Sequence, residues 1–287
     1  WRRFIDLDLL RPRASRGGPV KSVLFVKLIE QGATVLAADA IARAAEIAGR
    51  NNVHFCVFEE NRPILDILDL VPPDNIYTIR RGNFLQFLGD ALRFLRAIRR
   101  KGVDAAVDME FFARASAILT YLTGARRRVG LHRFTGELPY RGDLMTHRVS
   151  YNPYLHTAVA YRQLVNALAE DPDELPMSKS VPSAFPDPMK FVPSAEEKQG
   201  IRDLLGGTPT AGEEGPIVLL NPNASDMLPL RKWPLERFAE LGREILRRHP
   251  RVRIFMTGAP AEAGSAEALC REIGSERAKN LAGKTSM

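Results

Sequence analysis

Short apolar runs alternate along this chain with longer segments in which apolar residues return every three or four positions. Residues 23–27, 53–58, 75–79, 103–108 and 127–131 read as strands. Between them, residues 34–48 carry Val35, Leu36, Ile41, Ala44, Ala45 and Ile47 at helical spacing. Residues 113–122 are helical up to a capping Gly124, and 156–169 form another helix. The strongest amphipathic pattern covers 84–100. It places Phe84, Phe87, Leu88, Ala91, Leu92, Leu95 and Ile98 on one inward face, and Gly102 stops it. Strands alternating with helices in this way call for a parallel sheet covered on both sides.

Six prolines between Pro172 and Pro193 break the pattern, so 171–193 reads as a stiff linker between two α/β domains, 21–170 and 194–287. Ser194-Ala-Glu-Glu197 has the form of a capping box opening a helix that ends at Gly206. A second series follows: strands at 216–221, 251–257 and 278–281, with helices starting at Pro234 and at Ala261, the latter closed by Gly274. This series stops after about three strands, where a mononucleotide-binding sheet has five or six. The expectation is a domain that continues beyond Met287.

With 287 residues, two domains are the natural division. No apolar run approaches the length of a membrane span. Cys56 and Cys270 lack metal or redox spacing and argue for a reducing compartment. The +7 formal charge is clustered at Arg93, Arg96, Arg99, Arg100 and Lys101, at Arg126, Arg127 and Arg128, and among the first 20 residues, a basic leader rich in Trp1, Phe4, Ile5 and leucines. These clusters suit phosphorylated substrates or an anionic membrane face, and equally suit solvated helix ends. The leader reads as a membrane-surface helix or as a disordered segment. Nucleic acid is not an expected partner, because no aromatic residues interleave with the basic clusters.

Ligands of open α/β sheets collect beyond the carboxyl ends of strands. Four loops occupy such places: Leu28-Ile-Glu-Gln-Gly-Ala33, Asp108-Met-Glu-Phe-Phe112, Asn221-Pro-Asn-Ala-Ser-Asp226 through Arg231-Lys-Trp-Pro234, and Thr257-Gly-Ala-Pro-Ala-Glu262. None has Walker A or GxGxxG spacing, and Ala282-Gly-Lys-Thr-Ser286 lacks the upstream glycine of a Walker loop. The spacing of His132, His147 and His156 fits no zinc site, so no metal centre is expected. His132 and Arg133 could meet acceptor phosphates, and Tyr151-Asn-Pro-Tyr154 reads as a rigid turn.

In their order and separation, four of these stretches resemble successive motifs of glycosyltransferase family 9, the heptosyltransferases. They are Asn221-Pro-Asn-Ala-Ser225, Arg231-Lys-Trp-Pro-Leu-Glu-Arg-Phe-Ala-Glu240, Met256-Thr-Gly-Ala-Pro-Ala-Glu262 and Asn280-Leu-Ala-Gly-Lys-Thr-Ser286. Asp108-Met-Glu together with Gly124-Ala-Arg-Arg-Arg-Val-Gly130 resembles the matching N-terminal part, and the likeness runs from about Lys21 to Met287.

The resemblance implies a GT-B fold, with two Rossmann-like domains facing across a cleft. It implies a cytoplasmic, membrane-peripheral enzyme that transfers a sugar from a nucleotide-sugar donor, typically ADP-heptose, to a lipopolysaccharide-core or other surface-glycan acceptor. Transfer would invert the anomeric centre without a metal or a separate cofactor. The donor would meet Asn223, Ala224, Ser225, Arg231 (or Lys232), Gly258, Glu262, Gly283, Lys284, Thr285 and Ser286. The acceptor would meet Gly32, Ala33, Arg128 and His132. A guanidinium and a helix N-terminus are the fixed donors that a departing nucleoside diphosphate needs.

Two departures from the family pattern stand out. The family's Gly-Asp pair, whose Asp is the presumed base, is Gly32-Ala33 here, as in a subgroup that lacks it. Glu110 and Asp108 are the candidate substitutes, Glu30 a weaker one, with helix capping the competing role of Asp108. The family's Asp-x-Gly-x-x-His-like donor loop would lie past Met287. A non-catalytic relative that binds a nucleotide sugar or glycan is the alternative reading of Ala33.

Overall fold

The computed structural model describes residues 18–111, 113–134, 144–174, 191–206, 215–223 and 232–285. It divides into two compact units, Trp1–Phe191 and Val192–Met287. The basic leader, most of the Pro-rich segment, and Ala224, Ser225, Arg231 and Ser286 lie outside the described residues.

The first unit is built on a six-stranded sheet. Its strands are β1 (Val23–Val26), β2 (Val53–Phe58), β3 (Ile76–Ile79), β4 (Ala105–Asp108), β5 (Arg127–Phe134) and β6 (His147–Tyr151). Their order is β3-β2-β1-β4-β5-β6, and every neighbouring pair is parallel. Alternate residues of each strand feed opposite cores. Val23 and Phe25 join Phe55 and Val107 on one face, while Leu24 and Val26 join Cys56 and Ala106 on the other. Because both faces are covered, β1 is apolar throughout and β4 is apolar up to Asp108 at its end, rather than alternating.

The helices of this unit are α1 (Gln31–Leu36), α2 (Ala38–Ala48), α3 (Arg62–Leu68), α4 (Phe84–Lys101), α5 (Arg114–Leu122) and α6 (Thr157–Asn166). Ile41 and Ala44 of α2, Leu65 of α3 and Tyr161 and Leu164 of α6 cover the first core, and Phe94, Leu95 and Ile98 of α4 cover the second. Three expectations change. The helix expected over 34–48 is two helices divided at Ala37, whose N–H reaches both Ala33 O and Thr34 O. Helix α3 and strand β6 carried too few periodic residues to be read from sequence, and Tyr151 ends β6 rather than starting a turn.

Helix α4 has the expected length and keeps Phe87, Ala91, Leu95 and Ile98 of the expected inward face, but it is rotated so that the rest of that face is not covered. Asp90, Ala91, Phe94, Leu95 and Ile98 point inward, whereas Phe84, Leu88 and Leu92 are exposed. The cause is Asp90, buried at 3% exposure, whose carboxylate receives the Arg80 guanidinium at 2.8 and 3.0 Å and the Arg80 N–H at 3.2 Å. These bonds hold the Asp90 carboxyl at about 2, below the usual carboxylate range. They also anchor the start of the helix to the end of β3, which sets its rotation.

The second unit has a three-stranded parallel sheet, β7 (Ile217–Leu220), β8 (Arg253–Met256) and β9 (Ala278–Asn280), in the order β7-β8-β9. Helix α7 (Ala195–Leu204) opens with the capping box: Glu197 N–H donates to Ser194 Oγ, and Ser194 N–H to the Glu197 carboxylate. Helices α8 (Leu235–Arg248) and α9 (Ala263–Ile273) pack Ala239, Leu246, Ala266, Leu269 and Ile273 against Ile254 and Met256 of β8.

Two buried histidines couple this fold to pH. Burial, with Lys101 nearby, lowers His54 to about 4. Burial, with Arg127 and Arg128, lowers His147 to about 4. The unfolded chain takes up these protons near the ordinary value of about 6.5 and the folded chain does not, so stability is lost as pH falls through that window. The expected loss between about pH 7.5 and about pH 5 is on the order of 2 kcal/mol per histidine. Urea midpoints across that range measure it. His54→Leu and His147→Gln should each flatten the slope, and an unchanged slope would refute the assignment.

Candidate functional site

The strand order of the first sheet reverses between β1 and β4, so the carboxyl ends of these two strands flank the crevice where an open α/β sheet takes its ligand. Beyond β1 the chain runs through Lys27, Leu28, Ile29 and Glu30 into α1, and beyond β4 it runs through Met109 and Glu110. The two segments are fastened by an ion pair between residues 83 positions apart. Lys27, fully buried, places Nζ 3.4 Å from Glu110 Oε2 and donates to Ile29 O at 2.6 Å. Glu110 Oε1 accepts the backbone N–H groups of Leu28 at 2.7 Å and Ile29 at 3.1 Å. This carboxylate therefore shapes the first loop.

Asp108 is also engaged within the fold. It is fully buried, its Oδ1 accepts the Glu110 N–H at 3.0 Å, and its Oδ2 accepts the Ser116 hydroxyl of α5 at 3.0 Å. Helix α5 begins after Ala113 without a side-chain cap, so Asp108 holds the strand end and the Ser116 side chain rather than capping that helix. Glu110 and Asp108 thus both hold backbone and side-chain donors.

Glu30 differs from both. Its side chain is 63% exposed, and its Oε2 lies 3.5 Å from Lys27 Nζ. Its backbone is left-handed (φ 68°), a conformation that disfavours a residue with a Cβ, and it stands at the N-cap of α1. Thr34 fixes it by donating its N–H and hydroxyl to Glu30 O at 3.1 and 3.3 Å. Gly32 is exposed with open space where a Cβ would stand, and Ala33 is half-buried against the first core. Tyr161 of α6 approaches from beneath. It is fully buried, and its hydroxyl has no hydrogen-bond partner among the described residues. Burial, together with the nearby Glu110 and Glu30 carboxylates, raises its phenol above the ordinary range. Sequence reasoning missed Lys27 and Tyr161. A lysine ending an apolar strand was the available signal for the first, and Tyr161 carried none.

Arg128 departs from its expected place. It is 3% exposed, donates Nε to Leu144 O and a terminal nitrogen to Ala125 O, and lies over the Tyr121 ring. It therefore braces the segment at 144–146, turned away from solvent where an acceptor would be met. His132 is half-buried on β5, and nothing is described of the Arg133 side chain. His147 bonds Thr146 Oγ1 through Nδ1, and His156 caps α6.

In the second unit the loops after β7, β8 and β9 converge. Asn223 Nδ2 lies 3.4 Å from Thr257 O, and the Gly283 N–H donates to Gly258 O at 2.9 Å. The Glu262 carboxylate accepts the Ala259 N–H at 2.6 Å. A Cβ on Gly258 would stand 2.6 Å from Asn223 Nδ2 and 2.8 Å from Glu262 Oε2, so a larger residue would push both side chains from their present places. Gly283 turns with φ 74° against Pro260, a conformation suited to glycine. Lys232, Lys284 and Thr285 are exposed. Four expected donor residues, Asn223, Gly258, Glu262 and Gly283, thus meet at one strand end, with Lys284 and Thr285 following in chain.

Known proteins with this architecture can be set against that geometry. The E. coli ADP-heptose LPS heptosyltransferase II superposes with a TM-score of 0.67 at 18% identity, over 92% of this chain and 73% of that one. A glycosyl transferase family 9 protein from Veillonella parvula gives 0.68 at 15% identity, over 93% and 70%. E. coli heptosyltransferase WaaC with ADP-2-deoxy-2-fluoro heptose gives 0.62 at 21% identity, over 91% and 76%. These likenesses show an α/β fold of the GT-B type. No curated protein matches this chain. The model of glycosyltransferase family 9 (heptosyltransferase) matches residues 91–287, well over half of the sequence, from α4 through every loop of the second unit. The chain therefore belongs to glycosyltransferase family 9, and its chemistry is glycosyl transfer.

Proposed function

We propose that this protein transfers a sugar, a heptose on the closest reading, from a nucleotide-sugar donor to a hydroxyl of a lipopolysaccharide-core or related surface-glycan acceptor. The observation that carries the proposal is the family match over residues 91–287. The relatives support the donor class, since one is named an ADP-heptose transferase and another holds an ADP-heptose analogue.

The acceptor oxygen attacks the anomeric carbon as the bond to the donor phosphate breaks, so the configuration inverts and a nucleoside diphosphate departs. Asn223, Gly258, Glu262, Gly283, Lys284 and Thr285 border the nucleotide. The cationic Arg231, with Lys232 as its substitute, and Ala224 and Ser225 meet the phosphate charge without a metal. The acceptor lies along Gly32 and Ala33, with His132 toward its outer end. Its proton passes to Glu30, the exposed carboxylate at that strand end, while Glu110 and Asp108 hold the loop that presents it. This reverses the order expected from sequence, where Glu110 and Asp108 stood first. A nucleotide-sugar donor supports a reaction in the cytoplasm, at the inner face of the membrane that carries the acceptor.

Calorimetric titration of the full-length protein with ADP-, UDP- and GDP-sugars tests the proposal. One donor should bind saturably, lose about tenfold or more in affinity in Arg231→Ala, and keep its affinity in EDTA. No binding by a folded sample would overturn the donor site. Saturable binding with no transfer to any glycan would favour the non-catalytic alternative that Ala33 suggests.

A further inference from the structure

Helix α4 carries on its outer side what a buried amphipathic helix should not. Phe84 is 74% exposed, Leu85 77%, Leu88 40% and Leu92 45%. Leu85, Leu88 and Leu92 follow the helical repeat and form one stripe with Phe84 at its upper border, while the opposite face fills the second core of the first unit. The stripe continues into exposed Arg96 and Arg99, with Arg100 and Lys101 completing the last turn and Arg93 on its flank. The only acid of the helix, Asp90, is buried against Arg80 and Arg93. The outward face is thus apolar at its start and basic at its end, with no exposed negative charge.

We propose that this face of α4 is the site at which the protein binds an anionic phospholipid surface. Charge complementarity selects the occupant. A second copy packed in parallel would bring arginine against arginine, and one packed antiparallel would set the arginines of each helix on the apolar start of the other; neither offers them an acid. An anionic bilayer accepts both halves of the face: phenylalanine and leucine enter the acyl boundary, and long arginines reach the phosphates while their stems cover apolar surface.

The placement also suits a lipid-linked acceptor. The start of α4 follows the carboxyl end of β3, which shares an edge with the carboxyl end of β1, two strands and roughly 10 Å away. The apolar start of the face therefore lies at the same end of the sheet as the loop bearing Glu30. This last point rests on the proposed transfer to a membrane-borne glycan, whereas binding to lipid does not.

Co-sedimentation of the full-length protein with phosphatidylcholine vesicles, with and without phosphatidylglycerol, decides the matter. Binding is expected to the phosphatidylglycerol vesicles only and to weaken with salt. It should fall by about tenfold or more in Leu85→Ser/Leu88→Ser, and likewise in Arg96→Glu/Arg100→Glu. All four positions are exposed, so circular dichroism and melting should match the parent, and donor affinity should not change. No binding by the parent, or binding in both variants undiminished from that of the parent, would overturn the proposal. So would a concentration-dependent dimer abolished by the leucine substitutions, which would make the face an interface between copies. Loss of vesicle binding with donor binding intact separates this inference from the assignment of the transfer site.

Discussion

In a Glu30→Gln variant, kcat is expected to fall by about 10²–10⁴-fold while donor affinity stays near that of the parent. Gln keeps the size and hydrogen-bonding reach of the side chain but cannot take the acceptor proton. The loop should survive, because Glu30 is held through its backbone carbonyl by Thr34 and its side chain is mostly exposed. Glu110→Gln makes the contrasting case. Its Oε1 serves Leu28 and Ile29, so that change should loosen the loop and lower stability while costing kcat far less than Glu30→Gln does. Full activity in Glu30→Gln, or a greater loss of kcat in a folded Glu110→Gln, would return the base to Glu110.

Lys27→Met is the change with the largest expected effect on folding, about 3–5 kcal/mol, because it leaves the Glu110 carboxylate buried without its counter-charge. Methionine matches the stem of lysine in length and apolar character, so packing changes little and the deficit reads the charge. The loss would be a large share of the 5–15 kcal/mol that separates typical folded and unfolded states. Lys27→Met/Glu110→Leu should recover part of the loss but not all. The Leu28 and Ile29 N–H groups and Ile29 O would then lack their side-chain partners, at about 1 kcal/mol or more for each group that stays buried. Urea unfolding of the two single variants and the double gives the coupling directly. A loss below about 1 kcal/mol in Lys27→Met would show that water reaches the pair and that it does not organise the switch point.

Much of the fold was legible in local pattern. The strands at 53–58 and 127–131, the helix over 84–100 and the capping box at Ser194 follow from apolar period and end signals that act within a few residues, and the structure has them within a few positions. The motifs after β7, β8 and β9 were legible for a related reason: tight turns at strand ends need particular residues, such as Gly258 and Gly283, wherever the sheet goes. Strand β6 and helix α3 were not, since their residues are too few and too mixed to carry a period.

The sequence by itself determined the alternation of strands and helices, the covering of the first sheet on both faces, and the family-bearing loops. Only the tertiary structure decided which of three nearby carboxylates faces solvent and which face of α4 turns outward. Both depend on partners distant in sequence or on the rotation of a whole element. Glu110 is buried because Lys27 and two N–H groups lie 81 to 83 residues before it, and Glu30 is left exposed at the same edge. Helix α4 is turned because Arg80 draws Asp90 inward, which carries Leu85, Leu88 and Leu92 to the surface. Hydrophobic periodicity fixes that a helix has two faces; the charged pair that ties its start to the preceding strand goes with which one is buried.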